Sequence, residues 1–448
     1  AGGGAGVGGG AEAGRRGRRG PGLGGRLAGG PCREQARGGA RWPRVSSARA
    51  QEDNGGPSPA PRRVGRARGW RRRLAIAGAS LGGIAVALWA AIHWVPGFGP
   101  LVADRARALL GPAAVAWLED TVYGAEDRIH LAVHADDPPA TFWEEPAAPP
   151  APAAPTDEPP PGFTPPYAKV AGRGDGRWLP MQAATDPGRV AMYKTLVHPD
   201  PKRPYAVVAV VAMDLRALEL EMVAGTQEPE SSAVPRAHRP GVVPPADRAA
   251  LTAVWNGGFK AVHGGFGMRI GADTFLPPRE RSCTIGVLPD HAVEIRTYAE
   301  LAADAPRMLA FRQTPPCLIE RGEPNRRLLD EFTKYWGASV SGDTIIRRSA
   351  LGISRDQRFL FYALGDAVSA RSIGAALLAA GAYDAAQLDV NQAYPRFLLV
   401  SHDLPGQPPD TATLTDPLVP GLDYRPTDYV TSPEPRDFFY VRRKPARG

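Results

Sequence analysis

Cysteine is scarce in this chain: three residues among 448. That excludes a small domain stapled by many disulfides. No cysteine–histidine cluster has zinc-ligand spacing, and no N-x-S/T sequon occurs. Neither a P-loop nor a dinucleotide-binding glycine fingerprint is present, so neither a cofactor nor a metal is expected. Lysine is missing altogether from residues 1–73, where 17 arginines face four acids, a net +13. Large apolar residues are nearly absent there too, so the tail cannot bury enough surface to offset its conformational entropy and reads as a disordered Arg/Gly-rich segment. The remaining residues hold 37 basic and 42 acidic side chains, a net −5, although the whole chain is formally +8. A mildly acidic body behind a basic tail argues against a nucleic-acid-binding core.

Directly after the tail comes an apolar run, Leu74 to Val95, of 22 residues without a formal charge. That length crosses a hydrocarbon core of about 30 Å. Arg71-Arg72-Arg73 abuts its start, so the positive-inside rule keeps the tail cytoplasmic and translocates everything beyond Val95. The expectation is a single-pass membrane protein anchored through one N-terminal helix, with a large periplasmic or otherwise extracytoplasmic domain. A cleaved signal peptide ending at Ala85-Val86-Ala87 is the competing reading. Within the run, Gly78-Ala79-Ser80-Leu81-Gly82 matches a nucleophile elbow in letters only, because that motif needs an exposed serine on a strand-to-helix turn. Residues 96–137 read as a membrane-proximal helical segment, one or two short helices over Leu101 to Tyr123 broken at Gly111-Pro112. Residues 138–166 carry 12 prolines in 29 positions, a composition that favours extended polyproline II and a semi-rigid spacer.

From residue 167 to 448 the pattern is mostly short β-like runs. Tyr205 to Met213 reads as a buried strand and Leu218 to Val223 as a half-buried one, with Cys283 to Leu288, Ala292 to Tyr298 and Met308 to Phe311 continuing the series. Thr344 to Ile353 and Arg358 to Leu364 lead into Gly365-Asp366 and an amphipathic helix. Ser369 is its N-cap, Ile373, Leu377 and Ala380 recur at helical spacing, and Gly381 sits at C′. Phe438 to Val441 closes the series. The fold class is therefore α+β, a mixed β-sheet domain with a few packed helices. Cys283 and Cys317 fall in this domain. An oxidising compartment allows them to pair, and two buried thiols is the alternative.

Two stretches carry the chemistry. In Val254 to Gly271 an apolar run ends abruptly in Asn256-Gly257-Gly258-Phe259, with His263-Gly264-Gly265 shortly after it. Glycine permits positive φ and lets the backbone approach another group closely. A pair of hairpin turns is the plain alternative. Far downstream, Arg348-Ser349-Ala350-Leu351-Gly352, Asp366, and a run from Ala385 to Val390 containing Leu388-Asp389 complete the set.

In their order and spacing these segments resemble the phosphodiester glycosidase family, over roughly Tyr205 to Val400. Many members continue Leu-Asp into Gly-Gly-Gly-Ser, whereas this chain has Val390-Asn391-Gln392-Ala393. The resemblance implies hydrolysis of a sugar phosphodiester or a related envelope glycan. Such a site needs cations and amide donors for the phosphate, and carboxylates facing an oxocarbenium-like carbon. Asp389, Asp366 and His263 are then the catalytic candidates. Asn256, Gly257, Gly258, Arg348 and Asn391 are the substrate-binding ones, Arg348 through the bidentate fork of a guanidinium and the glycine amides as an anion nest. The altered residues after Asp389 favour the alternative, a non-catalytic envelope module that binds glycan or a partner protein.

Overall fold

A computed structural model describes residues 111–144, 158–181, 190–329, 344–390, 394–402 and 411–445, with Trp336 and scattered positions between 73 and 110. The arginine-rich tail, most of the 74–95 run, residues 145–157 of the proline-rich segment and Asn391 lie outside the described residues. Among the described residues, no helix is long and apolar enough to cross a membrane.

Among the described residues the class is α+β, with three sheets and few helices. An eight-stranded sheet runs, in spatial order, Leu179–Met181, Met192–Val197, Val208–Asp214, Phe359–Val368, Ile346–Ser354, Ala382–Gln387, Ile319–Glu320 and Glu323–Pro324. A five-stranded sheet is ordered Thr413–Pro417, Phe397–Ser401, Leu251–Asn256, Phe438–Arg443, Leu218–Val223. Another has the order Asp273–Leu276, Met268–Ile270, Ala310–Thr314, Cys283–Val287, Val293–Thr297.

The expected mixed sheet needs correcting, because the ladders between these strands are all antiparallel. The helix Ala370–Ala379 does cross over between two strands of like direction, Phe359–Val368 and Ala382–Gln387, but Ile346–Ser354 pairs antiparallel with both and separates them. Ser369 caps that helix, its Oγ accepting from the Ser372 amide at 3.0 Å, and Gly381 takes φ 101° past its end.

Both faces of the large sheet are covered, which is why Val208–Asp214 is apolar without alternation. On one face Val208, Val210 and Ala212 pack with Phe361, Ala363, Ile373 and Leu377. On the other Ala209, Val211 and Met213 join Tyr362 and Leu364 against Trp255, Phe397 and Phe439 of the five-stranded sheet. The helix Pro112–His134 starts after Gly111 (φ 82°), as the Gly-Pro break predicts, but continues past Tyr123 to His134. Asp127 accepts from Arg203 Nε and Nη2 at 2.8 and 2.6 Å, and His130 and His134 set their rings against Tyr205, which prolongs the helix by packing.

Cys283 and Cys317 form a disulfide with Cα atoms 4.7 Å apart. It closes a loop across a sequence separation of 34 residues. Reducing it, or replacing both residues by alanine, is expected to lower unfolding free energy by about 2–4 kcal/mol, read from urea denaturation with and without reductant.

Candidate functional site

The Leu251–Asn256 strand ends beside the start of Phe438–Arg443, with Asn256 opposite Phe438. Across from this corner, Ala382–Gln387 of the large sheet ends and the chain continues through Leu388 and Asp389. A shallow depression opens where the two sheets meet, lined by Asn256, Gly257, Gly258, Asp389, Tyr394, Tyr429, Glu434, Arg436 and Asp437. The empty space it encloses, open solvent included, is about 240 Å³.

Hydrogen bonds tie the sequence segments together at this corner. Asn256 Nδ2 donates to Ser349 Oγ at 2.9 Å, and Ser349 Oγ donates to the Asp389 carbonyl at 3.0 Å. The Asp389 amide donates to the Gly257 carbonyl at 3.2 Å, and Asn256 Oδ1 accepts from Tyr362 OH at 2.9 Å. The Asn256 side chain is thus fully engaged in joining the two sheets. Tyr362 is completely enclosed, and burial pushes its phenol well up.

The glycines serve close approach, not unusual backbone. Neither Gly257 nor Gly258 has positive φ, contrary to what a ligand-strained turn requires; that freedom is used at Gly264 (φ 139°) and Gly265 (φ 57°). A Cβ on Gly257 would stand 2.2 Å from Asp437 Oδ2. The amides offered as an anion nest are already taken by Asp437: the Gly257 amide donates to its backbone carbonyl at 3.0 Å, and the Gly258 amide to its carboxylate Oδ2 at 2.9 Å. Arg312 completes this buried pair, its Nε donating to Asp437 Oδ2 at 2.9 Å.

Of the residues expected at the site, Asn256, Gly257, Gly258 and Asp389 are brought together. Arg348, Asp366 and His263 do not line the depression. Arg348 is fully buried and donates to the carbonyls of Val368, Trp336 and Thr344 and to Gln387 Oε1, a set that anchors backbone. Asp366 lies inside the Phe359–Val368 strand, where Arg347 Nε and Nη2 bond its two oxygens, not in a turn before the helix. His263 ends the 3₁₀ turn Ala261–His263. The apolar run from Ala385 to Val390 leaves the sheet at Gln387, so Asp389 is off the strand and turned to the corner.

Sequence reasoning missed Tyr394, Tyr429, Glu434, Arg436 and Asp437. A signal was present: the charged segment Glu434-Pro435-Arg436-Asp437 directly precedes an apolar strand, as Asn256-Gly257-Gly258 directly succeeds one. Arg436 Nη1 donates to Asp389 Oδ2 in a close contact, both side chains buried, and the guanidinium lies 3.4 Å from the Tyr394 ring centroid. Glu434 pairs with Arg396 Nη2 at 2.9 Å, and Arg396 Nε donates to Tyr429 OH at 2.6 Å.

Burial raises the Glu434 carboxyl above its ordinary value of 4.5, against the pull of Arg396. On Arg396 burial pulls the other way, but Tyr429, Glu434 and Asp428 together outweigh it and hold the charge more firmly. The two directions are compatible because one guanidinium is divided between Glu434 and Asp428, 3.8 Å away. A carboxyl raised in the folded state binds its proton longer there than in the unfolded chain. Its contribution to stability is present below the ordinary value and lost as pH rises through the raised one. Glu434→Gln should therefore gain melting temperature relative to wild type as pH goes from about 4 to about 7, measured by thermal scans across that range. A pH-independent difference would assign the proton elsewhere.

Elsewhere, Glu219, Glu221 and His291 come close enough to hold a cation. Arg442 Nη2 already stands there, 2.9 Å from Glu219 and 3.2 Å from Glu221.

No protein-family model and no curated protein matches the sequence. Solved structures show distant likeness, two of them as follows. The catalytic domain of zebrafish N-acetylglucosamine-1-phosphodiester alpha-N-acetylglucosaminidase, auto-inhibited by its pro-peptide, is 12% identical with TM-score 0.36, covering 57% of this chain and 84% of that one. A protein of Burkholderia pseudomallei described as exported is 12% identical with TM-score 0.24, covering 53% and 74%. Identity and overlap this low leave the functional reading to the residues themselves.

Proposed function

We propose that the domain of residues 167–448 is an extracytoplasmic hydrolase of sugar phosphodiesters or related envelope glycans, tethered through residues 74–95, with Asp389 as its reacting carboxylate. The convergence of Asn256-Gly257, Ser349 and Asp389 carries this reading: segments far apart in sequence meet at one lined depression. The Cys283–Cys317 disulfide supports an oxidising compartment.

In this reading water attacks the anomeric carbon while the bond from that carbon to a phosphate oxygen breaks, the bonding pair leaving with the phosphate. Asp389 takes the proton that water releases. The departing phosphate is a weak base and needs little protonation. Glu434, holding its proton longer than an exposed carboxyl, is the neighbouring donor.

One observation favours the second reading, a non-catalytic module that binds glycan or a partner protein: in the free protein Arg436 covers Asp389. Incubating the full-length protein with a panel of sugar-1-phosphodiesters separates the two. Release of free sugar supports the hydrolase, and binding without release supports the module. Neither binding nor release would remove both.

A further inference from the structure

Arg436 is buried, with 6% of its side chain exposed, yet its Nε and Nη2 find no acceptor among the described residues. An arginine side chain keeps its charge in proteins, and a buried charged N–H without an acceptor is costly. Tyr394 covers one face of the guanidinium, and Nη1 is committed to Asp389. What is left is the Nε–Nη2 edge, the fork that takes two oxygens of one oxyanion. Elsewhere in this chain that edge has such a pair of oxygens: Arg203 gives it to Asp127, Arg347 to Asp366 and Arg216 to Asp214. The other two cations at the corner cannot serve, because Arg312 is locked to Asp437 and Arg396 to Glu434 and Tyr429. Arg348, the expected phosphate ligand, holds backbone carbonyls.

We propose that the Nε–Nη2 edge of Arg436 is the oxyanion receptor of this site. In binding the phosphate of a ligand it would loosen its hold on Asp389, so that the carboxylate is released only when an anionic ligand is seated. This rests on Asp389 as the reacting group only in its second half; the receptor stands whether or not the protein hydrolyses anything. Two anions compete for one guanidinium, and a two-oxygen contact on the ligand side outweighs the single-nitrogen contact to Asp389. Neutral glycosides, which bring no anion, would leave the Arg436–Asp389 pair closed.

Inorganic phosphate is the probe, added to full-length protein in phosphate-free buffer, with binding read by calorimetry. Arg436→Gln should weaken phosphate binding at least about tenfold, and Arg436→Lys should restore part of it. Because Arg436→Gln leaves Asp389 buried without its partner and could misfold, the pair Asp389→Asn with Arg436→Gln is made alongside. It should also fail to bind. Asp389→Asn alone should bind phosphate more tightly than wild type, since the competing anion is gone. Equal phosphate affinity in wild type and in the folded Arg436→Gln or double variant would overturn the receptor, as would no binding by wild type. Weaker binding by Asp389→Asn would overturn the competition. Activity then separates this from the reading it extends. If sugar-1-phosphodiesters are hydrolysed, neutral aryl glycosides should be poor substrates unless phosphate is added. If nothing is hydrolysed, the phosphate result still decides the receptor.

Discussion

Asp389→Asn is expected to reduce turnover of a sugar phosphodiester by about 10²–10⁴-fold while the domain stays folded. The main chain at this position is held independently of the side chain, since its amide donates to the Gly257 carbonyl and its carbonyl accepts from Ser349 Oγ. Asparagine keeps the shape and can still accept from Arg436 Nη1, but it cannot take a proton from water. The charge pair with Arg436 is lost, and breaking one partner of a buried pair costs up to about 3–5 kcal/mol when nothing replaces it. The retained amide oxygen should keep the loss well below that. Turnover and melting temperature must be measured on the same preparation. A large drop in melting temperature with proportionate loss of activity points to structure. Full activity on a proven substrate removes Asp389 from the chemistry.

Gly258→Val is expected to be the most damaging single substitution in the corner, at about 3–5 kcal/mol. A Cβ there would lie 2.7 Å from both Cζ and Nε of Arg312. The guanidinium cannot retreat. It is fully buried and bonded to both oxygens of Asp437 at 2.9 and 3.2 Å, and also to the carbonyls of Phe266, Gln313 and Phe259. Moving it would strand the Asp437 carboxylate, which also accepts from the Gly258 amide. The damage comes from displacing a buried ion pair, because φ at Gly258 is ordinary. Gly124→Ala is the matched control: it lies within a helix with nothing within 4 Å of the new methyl, so it should be neutral or slightly stabilising. Equal melting temperatures for Gly258→Val and wild type would mean that Arg312 does not pack against this turn.

Much of the β framework was legible because apolar runs and their punctuation are local. The runs at Leu218 to Val223, Cys283 to Leu288 and Phe438 to Val441 coincide with strands to within two residues. Ser369 and Gly381 bound their helix for reasons confined to one helical turn. Local pattern also marked Asn256-Gly257-Gly258 and Asp389, since a glycine pair and a carboxylate beside apolar runs need an explanation wherever they fall.

Partnership was not legible. Adjacent arginines on one strand are indistinguishable in sequence, yet Arg347 reaches Asp366 at the surface while Arg348 is enclosed among carbonyls. The role expected of Arg348 was a property of guanidinium chemistry, which Arg312, Arg396 and Arg436 share; only packing decides which of them lines the depression and keeps donors without an acceptor among the described residues. Sheet direction had the same origin, because a helical crossover fixes the sense of two strands but not what lies between them. By itself the sequence determined the α+β class, most strand and helix positions, and the residues able to stand at a sheet corner. The tertiary structure alone brought Glu434-Pro435-Arg436-Asp437 to that corner, because antiparallel pairing sets the start of Phe438–Arg443 against the end of Leu251–Asn256 across almost two hundred residues of chain.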